Sequence, residues 1–267
     1  MNKYYLVKLS YNGIRYFGWQ KQKQFPSVHQ AFEDALKKAL PQETEFHTIG
    51  ASRTDARVHA LGQVVRVNLT DLNLEPAELK KILNQNLPFD IRAENVIRTH
   101  SYFKVIAFAK DKEYLYLFQN KAETRPWMFP YTVNFEEELN FNLMAEAAKL
   151  FVGEYDFKNY CYRAEHVSNT IRKVYECELI EQYQMDLDGI QIKSHALRIR
   201  GAGFLKQMVR IIMGTLVQVG NGTVTIDQVR QSLEFPQNRQ KLGFIAPPHG
   251  LFLHFIKYPQ KYMDLEL

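Results

Sequence analysis

Between Ser52 and Ala60 the chain reads Ser-Arg-Thr-Asp-Ala-Arg-Val-His-Ala. This short stretch offers one carboxylate, Asp55, flanked by two guanidinium groups, Arg53 and Arg57, with an imidazole at His59. It precedes an alternating run at Val65, so it reads as a loop, and loops on a rigid scaffold are where catalytic groups concentrate. The plain alternative is a solvated charged turn, because surface ion pairs are common and weak. Two further side chains could do chemistry. Tyr114 lies in the run Tyr-Leu-Tyr-Leu-Phe, where a core aromatic is the ordinary reading. Arg210 shares a polar helix face with Gly203, Lys206, Gln207 and Gly214, where solvation is the ordinary reading. Cys161 and Cys177 are the chain's two cysteines and fit no zinc set.

The elements that must position these groups are visible in the hydrophobic pattern. Tyr5, Val7, Leu9 and Tyr11 alternate with polar residues as a strand that ends at the Asn12-Gly13 turn signal. Ser27-x-x-Gln30 has the form of a capping box and opens a helix through Ala39. Val65, Val67 and Leu69 predict a second strand. Pro76 starts another helix, which ends at Leu87-Pro88. The stretch from Tyr102 to Phe118 predicts one or two strands, and Asn120 to Asn134, holding Pro126 and Pro130, a loop. A helix through Leu143, Ala147 and Phe151 stops at Gly153. Strands follow at 172–180 and 190–200, then a long helix from Leu205 to Gly220, and a last strand at 251–258. Helices mixed with strands on this scale predict an α+β fold with antiparallel sheet.

Lys and Arg exceed Asp and Glu by 34 to 29, a formal charge of +5, which permits nucleic-acid binding without requiring it. No run of eighteen apolar residues predicts a membrane span. The start, Met1-Asn2-Lys3-Tyr4-Tyr5, lacks the pattern of a secretory signal. With so few cysteines, a reducing, cytoplasmic location is expected.

The loop Arg53-Thr54-Asp55-Ala56-x-Val58-His59-Ala60 resembles the G-R-T-D-A-G-V-H-A signature of the bacterial tRNA pseudouridine synthase A family, with Ser52 and Arg57 where that signature has glycine. Further blocks follow in the family's order. They are Tyr11-Asn12-Gly13 with Phe17-Gly18-Trp19-Gln20, Ser27-Val28 (with His29 for the usual Gln), Leu83-Asn84 with Leu87-Pro88 and Asp90-Ile91, and Phe103 with Tyr114-x-Tyr116. Gly153-Glu154-x-Asp156-Phe157 and Thr170-Ile171-Arg172 come next. Gly203-Phe204-Leu205-x-x-Met208-Val209-Arg210 and Ala246-Pro247-x-x-Gly250-Leu251 complete the set. The resemblance runs from about Tyr4 to Tyr258. Ile106 departs from it where the family usually has arginine.

The resemblance implies a pseudouridine synthase fold: a mixed, largely antiparallel sheet flanked by helices, in two subdomains around a basic cleft. The expected boundary puts the Asp loop in residues 1–118 and the rest in 119–267. The implied reaction breaks the N1–C1′ bond of a uridine in the anticodon stem-loop of tRNA (positions 38–40), turns the uracil and bonds C5 to C1′. The base is retained, so no cofactor and no metal is expected. Asp55 is the implied catalytic carboxylate, attacking C1′, removing the C2′ proton or attacking C6. Tyr114 would transfer a proton or pack against the uracil. Arg210 would be the basic partner of the aspartate, whose charge favours the ionised form. Arg53 would grip phosphate or help extrude the nucleotide, since enzymes that work on a base take it out of the stack. Arg57, His59 and Lys206 are further RNA-binding candidates, His59 being equally readable as a structural hydrogen-bonder. tRNA is the expected partner, and a homodimer the expected assembly. The rival reading, from a different class, is an inactive tRNA-binding protein or RNA chaperone of the same fold.

Overall fold

A computed structural model describes residues 2–121, 126–238 and 242–259. Its architecture is α+β, with the chain packed as two units: Met1–Asp111 together with the last stretch from Leu253, and Lys112–Phe252. Among the described residues no helix is long and apolar enough to cross a membrane.

In the first unit β1 (Lys3–Tyr11), α1 (Val28–Ala39), β2 (Phe46–Gly50), β3 (His59–Leu69), α2 (Pro76–Asn86) and β4 (Ile91–Thr99) follow one another. β1 lies between β3 and β4, antiparallel to both, with Val7 opposite Val65 on one side and Val96 on the other. β2 pairs antiparallel with the far end of β3, Thr48 opposite Val67. Tyr5, Val7 and Leu9 are fully buried, as their alternation predicts, but Leu6 is too, so this strand is covered on both faces. The pairing of β1 with β3 slips between Leu9 and Tyr11. The extra residue lies in β3 between Ala60 and Gln63, at the end that joins the Asp55 loop, and such bulges occur beside functional sites.

Ser27 caps α1, accepting from the Gln30 amide at 3.3 Å. The reciprocal half of the capping box is not made, because the Gln30 side chain donates forward to Asp34 at 2.8 Å. The expected strand beginning at Tyr102 is absent: residues 101–108 fold into turns, the Phe108 amide returning to the Lys104 carbonyl at 2.9 Å. β2 and β4 were not legible in the sequence. β4 carries Arg92, Glu94, Asn95 and Arg98 across the alternation that would have marked it.

The second unit contains β5 (Asp111–Asn120), β6 (Val133–Phe135), α3 (Phe141–Leu150), β7 (Gly153–Asp156), β8 (Ile171–Leu187), β9 (Ile190–Gly201), α4 (Met208–Gly220) and α5 (Ile226–Glu234). β5, β9, β8 and β7 pair antiparallel in that order, and β6 adds to β5 in parallel. β6 begins inside the stretch from Asn120 to Asn134 expected to be a loop. Asp188 and Gly189, both at positive φ, make the two-residue turn joining β8 to β9, as such hairpins require. α4 starts at Met208, three residues later than its apolar spacing suggests, because Gln207 is in the left-handed conformation. Twelve of its thirteen residues are buried, a helix enclosed on all sides. The last strand, β10 (Leu251–Lys257), lies beside β3 in the first unit. Gly62 makes that approach possible, since a Cβ there would sit 2.6 Å from the His254 carbonyl oxygen.

Candidate active site

In the first unit the loop from Ser52 to Val58 is held by the residues preceding α1 and by β3. The Trp19 amide donates to the Thr54 carbonyl at 3.1 Å, and the Arg57 amide to the Tyr16 carbonyl at 3.0 Å. The Tyr11 hydroxyl lies 2.8 Å from the Thr54 hydroxyl in a buried pair. At the loop's entry the fully buried Gln63 donates to the Ser52 carbonyl at 2.7 Å and accepts from the Ser52 amide at 3.2 Å. Two glycines let the backbones meet. A Cβ on Gly13 would lie 2.0 Å from the Val58 carbonyl oxygen, and one on Gly18, whose φ is +94°, 2.6 Å from that of Thr54. The Tyr-Asn-Gly and Phe-Gly-Trp blocks therefore form the bed on which the Asp55 loop rests.

Asp55 opens a tight turn, its carbonyl accepting from the Val58 amide at 3.2 Å. Its side chain is half-buried, while Thr54 before it is buried and Arg53 and Arg57 are exposed. Arg57 adopts φ +64°, the left-handed region that favours glycine and costs other residues roughly 1–2 kcal/mol. This is the physical reason for a glycine in the family signature here, and it makes Arg57 a strained departure from it.

His59 is the first residue of β3 and only 1% exposed. Its Nδ1 accepts from the Gly13 amide at 3.1 Å. Of its two readings, the structural one is the one its burial favours: the imidazole ties Gly13 against the loop and presents no face to solvent.

In the second unit Tyr114, on β5, is 7% exposed and meets Phe204 edge-to-face at 5.3 Å between ring centroids. Arg210, in the first turn of α4, is 9% exposed. The ordinary reading of a solvated polar face does not hold: the segment 242–247 covers that side of the helix. The Arg210 Nε donates to the Ala246 carbonyl at 2.7 Å, and the Ala246 amide returns to the Arg210 carbonyl at 3.2 Å. Gly214 lets the segment approach, since a Cβ there would sit 2.0 Å from the Phe244 carbonyl oxygen. A buried guanidinium is costly to desolvate, and the Ala246 carbonyl offsets part of that cost. Lys206 is exposed, its ammonium 4.9 Å from the centre of the Tyr162 ring.

Three positioning groups escaped the sequence reading. Tyr116, two residues beyond Tyr114, donates to the Pro247 carbonyl at 2.8 Å. Burial holds its phenol well above the usual range, against the opposing influence of Arg210, so it remains a neutral donor. Tyr16 donates to Asp90 at 2.7 Å; burial and then this bond raise its phenol as well. Gln63 is the third. Each is a buried polar side chain, and pattern reading assigns such positions to the apolar core. Their signal was their place within or beside the family blocks. Among the described residues no group of three His, Cys, Asp or Glu side chains gathers as a metal site would need.

The model of the family described as tRNA pseudouridine synthase matches residues 9–125 and 147–259. The first span contains Arg53, Asp55, Arg57, His59 and Tyr114, and the second contains Lys206 and Arg210. A protein named tRNA pseudouridine synthase A from Pseudothermotoga lettingae is 35% identical over 96% of this chain and 100% of its own. One named tRNA pseudouridine synthase A 2, from Bacillus thuringiensis subsp. konkukian, is 36% identical over 97% of this chain and 100% of its own. A third, from Chlamydia muridarum and named tRNA pseudouridine synthase A, is 34% identical over 98% of this chain and 94% of its own. Likeness of this extent, end to end and through every block around the Asp55 loop, shows that the chain belongs to the tRNA pseudouridine synthase family.

Proposed function

We propose that this chain isomerises uridine to pseudouridine in the anticodon stem-loop of tRNA, at positions 38–40 as the resemblance implies, with Asp55 as its catalytic carboxylate. The observation that carries the reading is the clamped loop. Asp55 is the carboxylate of a turn braced by Tyr11, Tyr16, Gly18 and Gln63, between two exposed arginines. A group held this way pays little to be oriented when substrate arrives. Whether it acts on C1′, on the C2′ proton or on C6, an ionised and fixed carboxylate is the common requirement. Arg53 and Arg57 supply charge toward phosphate, and Tyr114 and Arg210 take the roles the family resemblance gives them. The reaction is an isomerisation: the N1–C1′ bond breaks, the C5–C1′ bond forms, and the C5 proton is lost as N1 gains one. It needs no redox partner. A homodimer in the cytoplasm completes the reading.

The test is direct. Unmodified tRNA is incubated with the wild type and with Asp55→Asn, digested to nucleosides, and its pseudouridine quantified and mapped. Pseudouridine at the anticodon stem-loop with the wild type alone supports the proposal. None with either protein, on a tRNA that binds, overturns it.

A further inference from the structure

Phe89 is 90% exposed, an unusual state for a large aromatic ring. It is not loosely placed. It occupies a turn between α2 and β4 that the Ile91 amide closes onto the Pro88 carbonyl at 3.0 Å. The Arg15 guanidinium lies over the ring, 5.0 Å from its centre. Asp90 keeps Arg15 there through an ion contact of 3.2 Å. Asp90 is anchored in turn by the Tyr16 hydroxyl at 2.7 Å, and its carbonyl accepts from the Asn12 amide at 3.0 Å. Tyr16 is the residue whose carbonyl holds the Arg57 amide of the Asp55 loop. A braced, cation-backed aromatic ring is thus fastened to the same scaffold as the catalytic loop.

The geometry points to a binding subsite: the Phe89–Arg15 pair is a stacking platform for one unpaired nucleobase of the substrate RNA beside the target uridine. The inference rests on the reading that this chain acts on tRNA, and adds to it a site for a second nucleotide. A base offers a flat π face of the ring's own size, and base–aromatic stacking tolerates any base. The guanidinium strengthens such a stack and carries charge for the adjoining phosphate. The exposed Arg53 and Arg57 extend that charge. The contrast with Phe17 and Phe25 is informative: these half-exposed rings stack on each other at 4.3 Å and so cover their own faces. Phe89 is the one exposed residue of its turn, its apolar neighbours Leu87 and Pro88 being partly buried and Arg15 lying over the ring. A single exposed ring is the size of one base and smaller than the apolar centre of a protein interface.

The experiment compares tRNA affinity of the wild type, Phe89→Ala, Phe89→Leu and Phe89→Trp at one fixed ionic strength, with light scattering on each. Thermal melting checks that the variants fold, which so exposed a side chain permits. Loss of one stacked base weakens binding roughly 5- to 150-fold. Phe89→Ala and Phe89→Leu should both show it, and Phe89→Trp should bind within about twofold of the wild type. Repeating the Ala comparison on tRNAs with a single abasic nucleotide in the anticodon loop should find one position at which the variant no longer differs from the wild type. Equal affinity for wild type and Phe89→Ala would overturn the platform, as would full rescue by Leu. A change of oligomeric state with unchanged tRNA affinity would overturn it too and assign the ring to a second copy of the chain. A wild type that binds tRNA without modifying it would sink the catalytic reading while leaving this comparison readable.

Discussion

Replacing Gly13 with alanine adds a single methyl group at a residue that performs no chemistry. Gly13 is not at positive φ, so alanine can adopt its backbone conformation and the effect is steric. The added Cβ would lie 2.0 Å from the Val58 carbonyl oxygen and 2.5 Å from its carbon, against the 3.0 Å below which Cβ contacts are essentially never found. Something must move by about 1 Å. If Val58 yields, it carries with it the turn that its 3.2 Å bond to the Asp55 carbonyl closes. If Gly13 yields, it leaves the His59 Nδ1 that its amide donates to. Overpacking of this kind costs about 1–3 kcal/mol of stability, and misplacing a reacting group by 1 Å can cost roughly 10²-fold in rate. The assay is single-turnover pseudouridine formation with enzyme in excess, alongside thermal melting and tRNA binding. A folded protein that binds tRNA but reacts about a hundredfold more slowly is expected. A Gly13→Ala enzyme with the wild-type rate would refute the idea that this contact sets the position of Asp55.

Arg57→Gly relieves the left-handed strain at φ +64° and should stabilise the protein by about 0.5–1 kcal/mol, net of the unfolded-state freedom glycine gains. The melting temperature should rise by a degree or two while preference among RNA substrates shifts and the bound-substrate rate stays; collapse of that rate would make Arg57 a catalytic group. Burial pushes the Lys112 amine down to about 8, below its unfolded value of roughly 10.5. The folded state therefore binds fewer protons between those values, so this group's penalty is complete below pH 8 and fades as pH rises toward 10.5. The melting temperature of Lys112→Met should exceed the wild type's most at pH 7, with the gap narrowing by pH 10; a constant gap would contradict it.

What the sequence disclosed follows physical lines. α1, α2 and α3 each bury one apolar stripe, and β9 largely alternates, so their periods were visible; β8, expected at 172–180, runs on to Leu187 and buries only Val174, Cys177 and Met185, so its second half was not legible. α5 was not read: its core contacts are Val229, Ser232 and Leu233, too few apolar residues for a stripe, and its start is marked instead by the Thr225–Gln228 capping box. The segment Val105-Ile106-Ala107-Phe108 has strand-forming residues yet lies in turns, leaving Ile106 exposed. Tertiary context overrides propensity there. The Asp55 loop was legible as a motif, but its bed was not, because Tyr11–Thr54 and Gly13–His59 join residues more than forty positions apart. The covering of Arg210 was not legible for the same reason: the segment that covers it arrives thirty-six residues later.

The central claim is that Asp55 is the essential carboxylate, and Asp55→Asn tests it most directly. The substitution preserves size and removes the charge and the nucleophile, and the backbone bonds that hold the loop remain available to it. Nucleoside analysis of tRNA should find no pseudouridine formed by a protein that melts and binds tRNA like the wild type. Clear turnover by that variant, in a preparation free of other pseudouridine synthases, would contradict the account.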